Sequence, residues 1–287
     1  MLRGLYTAAS GMIAQQRRHD TVTNNIANLN TPGYKQINAV TRSFPEMLLS
    51  MTGVQNAERA SIGTWTSGVF AEESLSIHVQ GDLMQTNRSS DFALVSNLEL
   101  NGLAFDASGK AITDDGTAVF QPQAFFTVRD QNGEIRYTRG GAFTLDGGGF
   151  LLASDGSNVL DVGGNPIQLP AGVGLDDLVL TENQTFLDGN GNAVGNQLMI
   201  TRIENPNQLV REGNGNFRFA DDNGQAALIG AGDRVEVRQG YVERSNVDAA
   251  QSAVDLMAAL RAYEANQKVI QFYDQSLQKA ANEIGRI

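Results

Sequence analysis

Apolar residues recur at helical spacing near both ends of the chain and at strand spacing between them. At the start, Leu2, Leu5, Tyr6, Ala9, Met12 and Ile13 fall three and four apart, and after a polar interval from Gln15 to Asp20 the stripe resumes at Val22, Ile26 and Leu29. This spacing predicts an amphipathic helix. Thr31-Pro32-Gly33 ends it, because Pro cannot donate to the helix ladder and Gly accepts the left-handed turn that often follows a helix. At the far end, Ala253, Leu256, Leu260, Tyr263, Gln267, Ile270, Asp274, Leu277, Ala281 and Ile284 form a heptad seam with two polar interruptions. Val254, Met257, Val269, Phe272 and Tyr273 broaden that stripe. Ser245 or Asn246 can cap the helix, with Asp248 in its first turn. At 1.5 Å per residue the helix is roughly 60 Å long, more than a domain of this size usually encloses.

The middle reads as β-structure. One turn recurs, with Asp at its first position and Gly three later: Asp106–Gly109, Asp130–Gly133, Asp146–Gly149, Asp188–Gly191 and Asp221–Gly224. Asp bonds the backbone ahead of it, and Gly tolerates a positive φ. Between the turns lie runs rich in β-branched and aromatic residues, at 124–128, 134–138 and 234–238. Antiparallel hairpins follow. From Arg42 to about Phe70 the pattern predicts only an extended connector.

Composition sharpens the division. Of 31 Gly and six Pro, only Gly4, Gly11 and Gly285 lie outside residues 31–245. Charge divides the same way: residues 1–35 carry +3, residues 246–287 carry −1, and the segment between carries −13, for a total of −11. An acidic middle repels its copies, whereas near-neutral ends can pack densely. So acidic a chain lacks the clustered cations that nucleic acid demands. The expected fold class is α+β: long N- and C-terminal helices, paired like a coiled coil, flank a central, mainly antiparallel β domain.

Candidate chemistry is sparse. With no Cys, disulfides and thiolate sites are excluded; with only His19 and His78, a zinc site or a His-based triad has almost nothing to draw on. Asp188-Gly-Asn-Gly-Asn192 begins like a calcium loop, but Ala193 and Met199 stand where such a loop needs Gly and a bidentate carboxylate, so a hairpin turn is the better reading. Ser276-Leu-Gln-Lys279 matches a serine–lysine pattern without its companion motifs, and reads as a solvated helix turn. No catalytic, metal or cofactor residue is assigned. No stretch is apolar enough to span a membrane, and the start lacks the apolar core of a cleaved signal peptide.

The two terminal stripes carry more information. They could form an internal helical hairpin on the β domain. Against that, Ala253, Gln267, Asp274 and Ala281 place small or polar residues where a helix buried in one domain favours large apolar ones. A seam of this length otherwise calls for a partner, and a head-to-tail contact between copies that does not close generates a helical filament.

At this point whole motifs match. Leu2-Arg-Gly-Leu-Tyr-Thr-Ala-Ala-Ser-Gly-Met12, then Asn24-Asn25-Ile26 and Ala27-Asn-Leu-Asn-Thr-Pro-Gly-Tyr-Lys35, stand at one end. Gln239-Gly-Tyr-Val-Glu-Arg-Ser-Asn-Val-Asp248 and Ala262-Tyr-Glu-Ala-Asn266 stand at the other, with Phe125–Asp130 and Tyr137–Phe143 between. Together they resemble the bacterial flagellar rod and hook axial proteins, especially the distal-rod members and the hook–basal-body proteins of Bacillus-type bacteria. One departure is an additional stretch of about thirty residues after Leu94, over roughly 95–124, where an extra loop or hairpin is expected.

The resemblance implies a structural subunit of the basal-body distal rod or rod–hook region. Its terminal helices would assemble a tubular, torque-transmitting shaft. The implied domains are an N-terminal helix of an inner axial domain (1–35), the connector (36–70), a β-rich outer domain (71–244) and a C-terminal axial helix (245–287). Implied partners are other rod and hook proteins, copies of itself and the flagellar type III export apparatus, with export without a cleaved signal peptide. No nucleic acid, membrane span or cofactor is implied. For the assembly interface it suggests Leu5 and Met12 on the first helix and Asn24, Asn25 and Asn28 at its end. Thr31, Pro32 and Gly33 would turn the chain, with Tyr34 and Lys35 outside that turn against a neighbour. Asn246, Leu256, Leu260, Tyr263, Ile270 and Leu277 would complete the seam. Competing readings are a hook subunit, a secreted β-rich adhesive protein, and a glycan hydrolase with a paired-carboxylate cleft.

Overall fold

The computed structural model describes residues 2–50, 61–72, 74–98, 103–106, 109–113, 115–170, 172–221, 226–230 and 232–283. The chain divides into two units. One comprises Met1–Ala27, Ile37–Leu75 and Asp248–Ile287; the other comprises Asn28–Gln36 and Ser76–Val247.

The first unit holds both α-helices found among the described residues, α1 (Leu2–Ala27) and α2 (Ala249–Glu283). Asp248 caps α2, its carboxylate accepting from the backbone N–H groups of Ala250 at 2.8 Å and Gln251 at 3.0 Å. Two antiparallel hairpins complete the unit, Thr41–Ser43 with Val69–Ala71 and Met47–Ser50 with Ser61–Trp65. Ser10 ties α1 to the first hairpin by accepting from the Val69 N–H.

The helices run antiparallel, and their contact corrects the expected coiled-coil-like pair. Flanking helices around a large β region are present, but a heptad seam of interlocking apolar side chains is not what joins them. Gly4 lies against Tyr273 and Gly11 against Asn266, while Arg18 bonds Asp255 at 2.9 Å. The positions of α2 buried most deeply are Ser252 and Ala259, with Asp255, Ala262, Asn266 and Tyr273 half-buried. Of the expected seam, Leu256, Tyr263, Ile270 and Leu277 are half-buried beside that line, whereas Ala253, Leu260, Gln267, Asp274 and Ala281 are exposed. The physical reason is local: glycines on α1 let the side chains of Tyr273 and Asn266 lie directly against its backbone, and the charged pair Arg18–Asp255 shares the contact. Ile284 lies outside the described residues.

The second unit is built on a nine-stranded antiparallel sheet. Its hub is the strand Gln123–Arg129, which pairs with Ile135–Thr138, Asn158–Val159 and Ile200–Ile203. Six of the hub's seven residues are buried, which explains a run that does not alternate polar with apolar. Phe126 faces the larger core with Phe92, Phe143, Val159 and Phe186, whereas Phe125 faces a smaller one with Tyr137, Ile203 and Phe217. Rings meet edge to face, Phe126–Phe143 at 5.2 Å and Phe125–Phe217 at 5.8 Å.

The Asp-to-Gly turns form as their chemistry dictates. The Asp146 carboxylate accepts from the N–H groups of Gly148 and Phe150, both at 2.8 Å, and Gly149 takes φ +81°. Asp130 and Asp188 repeat the arrangement. The Asp188 loop is thus a hairpin turn joining Thr185–Leu187 to Ala193–Gln197. The Asp221–Gly224 turn lies largely outside the described residues. In the additional stretch, Lys110–Ile112 pairs with Ala118–Phe120 as a small hairpin.

Candidate functional site

Two groupings emerge, one in each unit. In the second, residues 31–36 cross beside residues 243–246. The Gly33 N–H donates to the Glu243 carbonyl at 2.7 Å, and the Gln36 N–H donates to the Asn246 side chain at 2.7 Å. The Asn246 amide donates in turn to the carbonyls of Ile77 and Val79. Gly33 is required here: it holds φ +70°, and a Cβ would stand 2.6 Å from the backbone of Arg139 and Gly140.

Beneath this crossing lies a dry cluster of charges. The Lys35 ammonium lies 2.6 Å from the Glu243 carboxylate, and Arg139 Nε lies 2.8 Å from its other oxygen. Gly81 N–H donates to the same carboxylate, Lys35 also donates to the Val79 carbonyl, and Arg139 donates to the carbonyls of Ala124 and Leu94. Burial alone would raise the Glu243 carboxyl, but Arg139 and Lys35 outweigh it and hold it down at about 2. Burial lowers Lys35 to about 8 against the pull of Glu243.

His78 sits beside the cluster between Phe125 and Phe217, with neither ring nitrogen hydrogen-bonded. Burial, followed by the cations Lys35, Arg211 and Arg139, lowers it to about 3 and keeps it neutral. Arg211 donates to the Lys35 carbonyl at 2.7 Å and stacks on the Tyr34 ring, 4.1 Å from its centroid. Every Glu243 oxygen is engaged, so the cluster binds chain to chain. Among the described residues no group of three or more His, Asp or Glu could hold a metal ion.

The second grouping is a set of exposed apolar residues on α2. Val254, Met257, Val269 and Phe272 are 55%, 51%, 40% and 69% exposed, and at 100° per residue they fall within one third of the helix circumference. On α1, Tyr6 and Ile13 are likewise exposed, seven residues apart. The α2 residues form two exposed apolar pairs, Val254 with Met257 and Val269 with Phe272, separated along that side of the helix by the exposed Arg261, Glu264 and Lys268.

The residues singled out in the sequence fall in three settings. Leu5, Met12, Leu256, Tyr263, Ile270 and Leu277 are half-buried in the helical unit, and Leu260 is exposed. Asn24 is exposed, whereas Asn25 is buried, pairing its amide with the backbone N–H and carbonyl of Ile37. Asn28 and Thr31 are half-buried and bonded to each other, Pro32 is exposed and Asn246 is half-buried. Tyr34 and Lys35, expected outside the turn, are instead buried within the second unit, which corrects that placement. Lys35 turns inward because Glu243 offers it a counter-ion. Arg139, Glu243, His78 and Arg211 were not singled out, although the first two lie inside quoted motifs. A charge that recurs within an otherwise apolar or glycine-rich motif was the available signal.

A β unit that both chain ends enter, together with terminal helices that expose apolar side chains, defines a structural assembly subunit. Comparison with known proteins gives the class its identity. Residues 5–35 match the model of the flagella basal body rod protein, residues 119–186 that of the flagellar hook protein FlgE/F/G D1 domain, and residues 238–283 that of the flagellar basal body rod FlgEFG protein C-terminal region. The flagellar hook-basal body complex protein FlhO of Bacillus subtilis is 37% identical over 302 aligned positions, covering 100% of both chains. The flagellar basal-body rod protein FlgG of Agrobacterium fabrum is 32% identical, covering 96% of each. FlgG of Bacillus subtilis is 29% identical, covering 98% of this chain and 99% of its own. The chain belongs to the flagellar rod and hook–basal-body protein family.

Proposed function

We infer that this chain is a structural subunit of the flagellar basal body, in the rod and rod–hook region, and that it works by packing rather than by catalysis. Full-length similarity to rod and hook–basal-body proteins supports the family role. The observation that carries the mechanism is the two exposed apolar pairs Val254–Met257 and Val269–Phe272, which the helical unit itself leaves in water. Covering one large apolar side chain contributes on the order of 1.5–3 kcal/mol, so covering two such pairs drives association between copies or with neighbouring rod and hook proteins. A shaft so built resists twist because each subunit is gripped along its helices.

Delivery follows from the same role: a rod subunit lies beyond the cell membrane, and among the described residues no helix is long and apolar enough to cross one. We propose export by the flagellar type III apparatus without a cleaved signal peptide. The test is Val254→Asp combined with Phe272→Asp in a strain lacking the wild-type gene. Exposed positions should leave the circular-dichroism melt of the purified monomer unchanged, while swimming and rod completion are lost. Normal swimming with the double variant would refute the assembly mechanism.

A further inference from the structure

We propose that Glu243 is a latch that lets residues 31–36 dock only once residues 243–246 are in place, so that the chain's two approaches to the β unit lock together. This holds whether or not the assembly reading above is correct, since it concerns one chain. Gly33, Tyr34, Lys35 and Gln36 are held by bonds to Glu243, Asn246, Arg211, Ile77 and Val79.

The electrostatics give the order. Lys35 and Arg139 are both buried, and the Glu243 carboxylate is bonded to each of them. Take Glu243 away, and two cations share a dry pocket with Arg211 nearby and a neutral His78 that can accept but not balance charge. The strap carrying Lys35 is the movable one, because Arg139 is fixed to the Ala124 and Leu94 carbonyls in the sheet. The N-terminal strap therefore stays undocked until a carboxylate from 208 residues away arrives. The two segments are coupled, and neither locks alone.

The coupling predicts an asymmetry that simple loss of contacts does not. Lys35→Met leaves one neutral pair, Arg139–Glu243, whereas Glu243→Gln strands two cations. Adding Lys35→Met to Glu243→Gln removes one of the stranded charges and should rescue docking. The readout is hydrogen exchange in the full-length chain, comparing the Gly33 and Gln36 amides with those of Gln123–Arg129. Glu243→Gln should speed exchange at Gly33 and Gln36 by about a hundredfold or more, the scale of a stranded buried charge, and leave the hub strand unchanged. Lys35→Met should speed it by less than about tenfold, and the double variant should exchange at least about tenfold slower than Glu243→Gln. Wild-type exchange in Glu243→Gln, a double variant no slower than the single one, or exchange rising equally along the hub strand would each overturn the latch. Should Glu243→Gln fail to fold, folding restored by Lys35→Met supports the proposal, and failure of both overturns it.

Discussion

The Lys35 ammonium and the Glu243 carboxylate meet at 2.6 Å across 208 positions of sequence, both buried. A buried pair of this kind is weak as net stabilisation, since desolvation offsets most of the attraction, yet breaking one side is costly. What it supplies is specificity: one ammonium, one guanidinium and one carboxylate satisfy one another in a single arrangement of two chain segments.

That arrangement sets the response to acid. The Glu243 carboxyl is held at about 2 instead of its usual 4.5, so the folded state binds fewer protons than the unfolded state between those values. Its contribution is complete above pH 4.5 and is lost as pH falls toward 2. Integrated over that interval the loss is on the order of 3 kcal/mol. Urea unfolding followed between pH 5 and pH 2.5 should show it, and a flat stability across that range would contradict it.

His78 acts over a higher interval. Its folded value of about 3 lies below the ordinary 6.5, so unfolding takes up a proton as the pH drops below 6.5. Stability should therefore decline from pH 6.5 downward, before Glu243 begins to titrate. Lys35, Arg211 and Arg139 all oppose its protonation, and Glu243 only partly offsets them. His78→Phe would keep an aromatic ring between Phe125 and Phe217 and remove two unsatisfied nitrogens. We expect it to stabilise the protein by about 1–3 kcal/mol at pH 7 and to abolish the decline between pH 6.5 and pH 5. Denaturation curves of both proteins at those two pH values decide it.

The extent to which this was legible in the sequence follows from range. Turn chemistry is local, so Asp130, Asp146 and Asp188 announced their hairpins, whereas the helix ends were shifted: α1 stops at Ala27, before Thr31, and Asp248, expected in the first turn of α2, caps it in place of Ser245 or Asn246. Terminal helices around a β region were legible too, because periodicity survives tertiary context. Which side of α2 meets α1 was only partly legible: Val254, Met257 and Phe272 made the stripe look wide, and nothing local shows that Gly4 and Gly11 make room for Tyr273 and Asn266. The burial of Lys35 was equally hidden, since its reason is a glutamate over two hundred residues away. A lysine after Gly-Tyr reads as a surface residue until its counter-ion is known.

The turns themselves can be probed singly. Asp146→Ala removes the acceptor for the Gly148 and Phe150 amides, both exposed bonds. Losing a side-chain cap of a turn on the surface should cost about 1 kcal/mol, through the local Asx geometry and not through charge. Asp146→Asn, which keeps the carbonyl acceptor, should recover most of it. Thermal melts of the two variants distinguish the hydrogen bond from electrostatics.

Two glycines that look alike in sequence should respond unequally. Gly33 holds φ +70°, and an added Cβ would stand 2.6 Å from backbone atoms of Arg139 and Gly140, which belong to the sheet and cannot swing aside. Gly33→Ala therefore meets conformational strain and a clash together, and should cost about 2–4 kcal/mol. Gly11 lies within α1, and a Cβ there would stand 3.1 Å from the Asn266 amide nitrogen, the far end of a side chain and not backbone. Alanine is the better helix former by about 1 kcal/mol, which offsets that small displacement, so Gly11→Ala should change stability by no more than about 1 kcal/mol. Equal destabilisation by the two substitutions would mean that α1 and α2 are packed as rigidly as the sheet. A near-neutral Gly33→Ala would mean that residues 31–36 are not docked where the bonds to Glu243 and Asn246 place them.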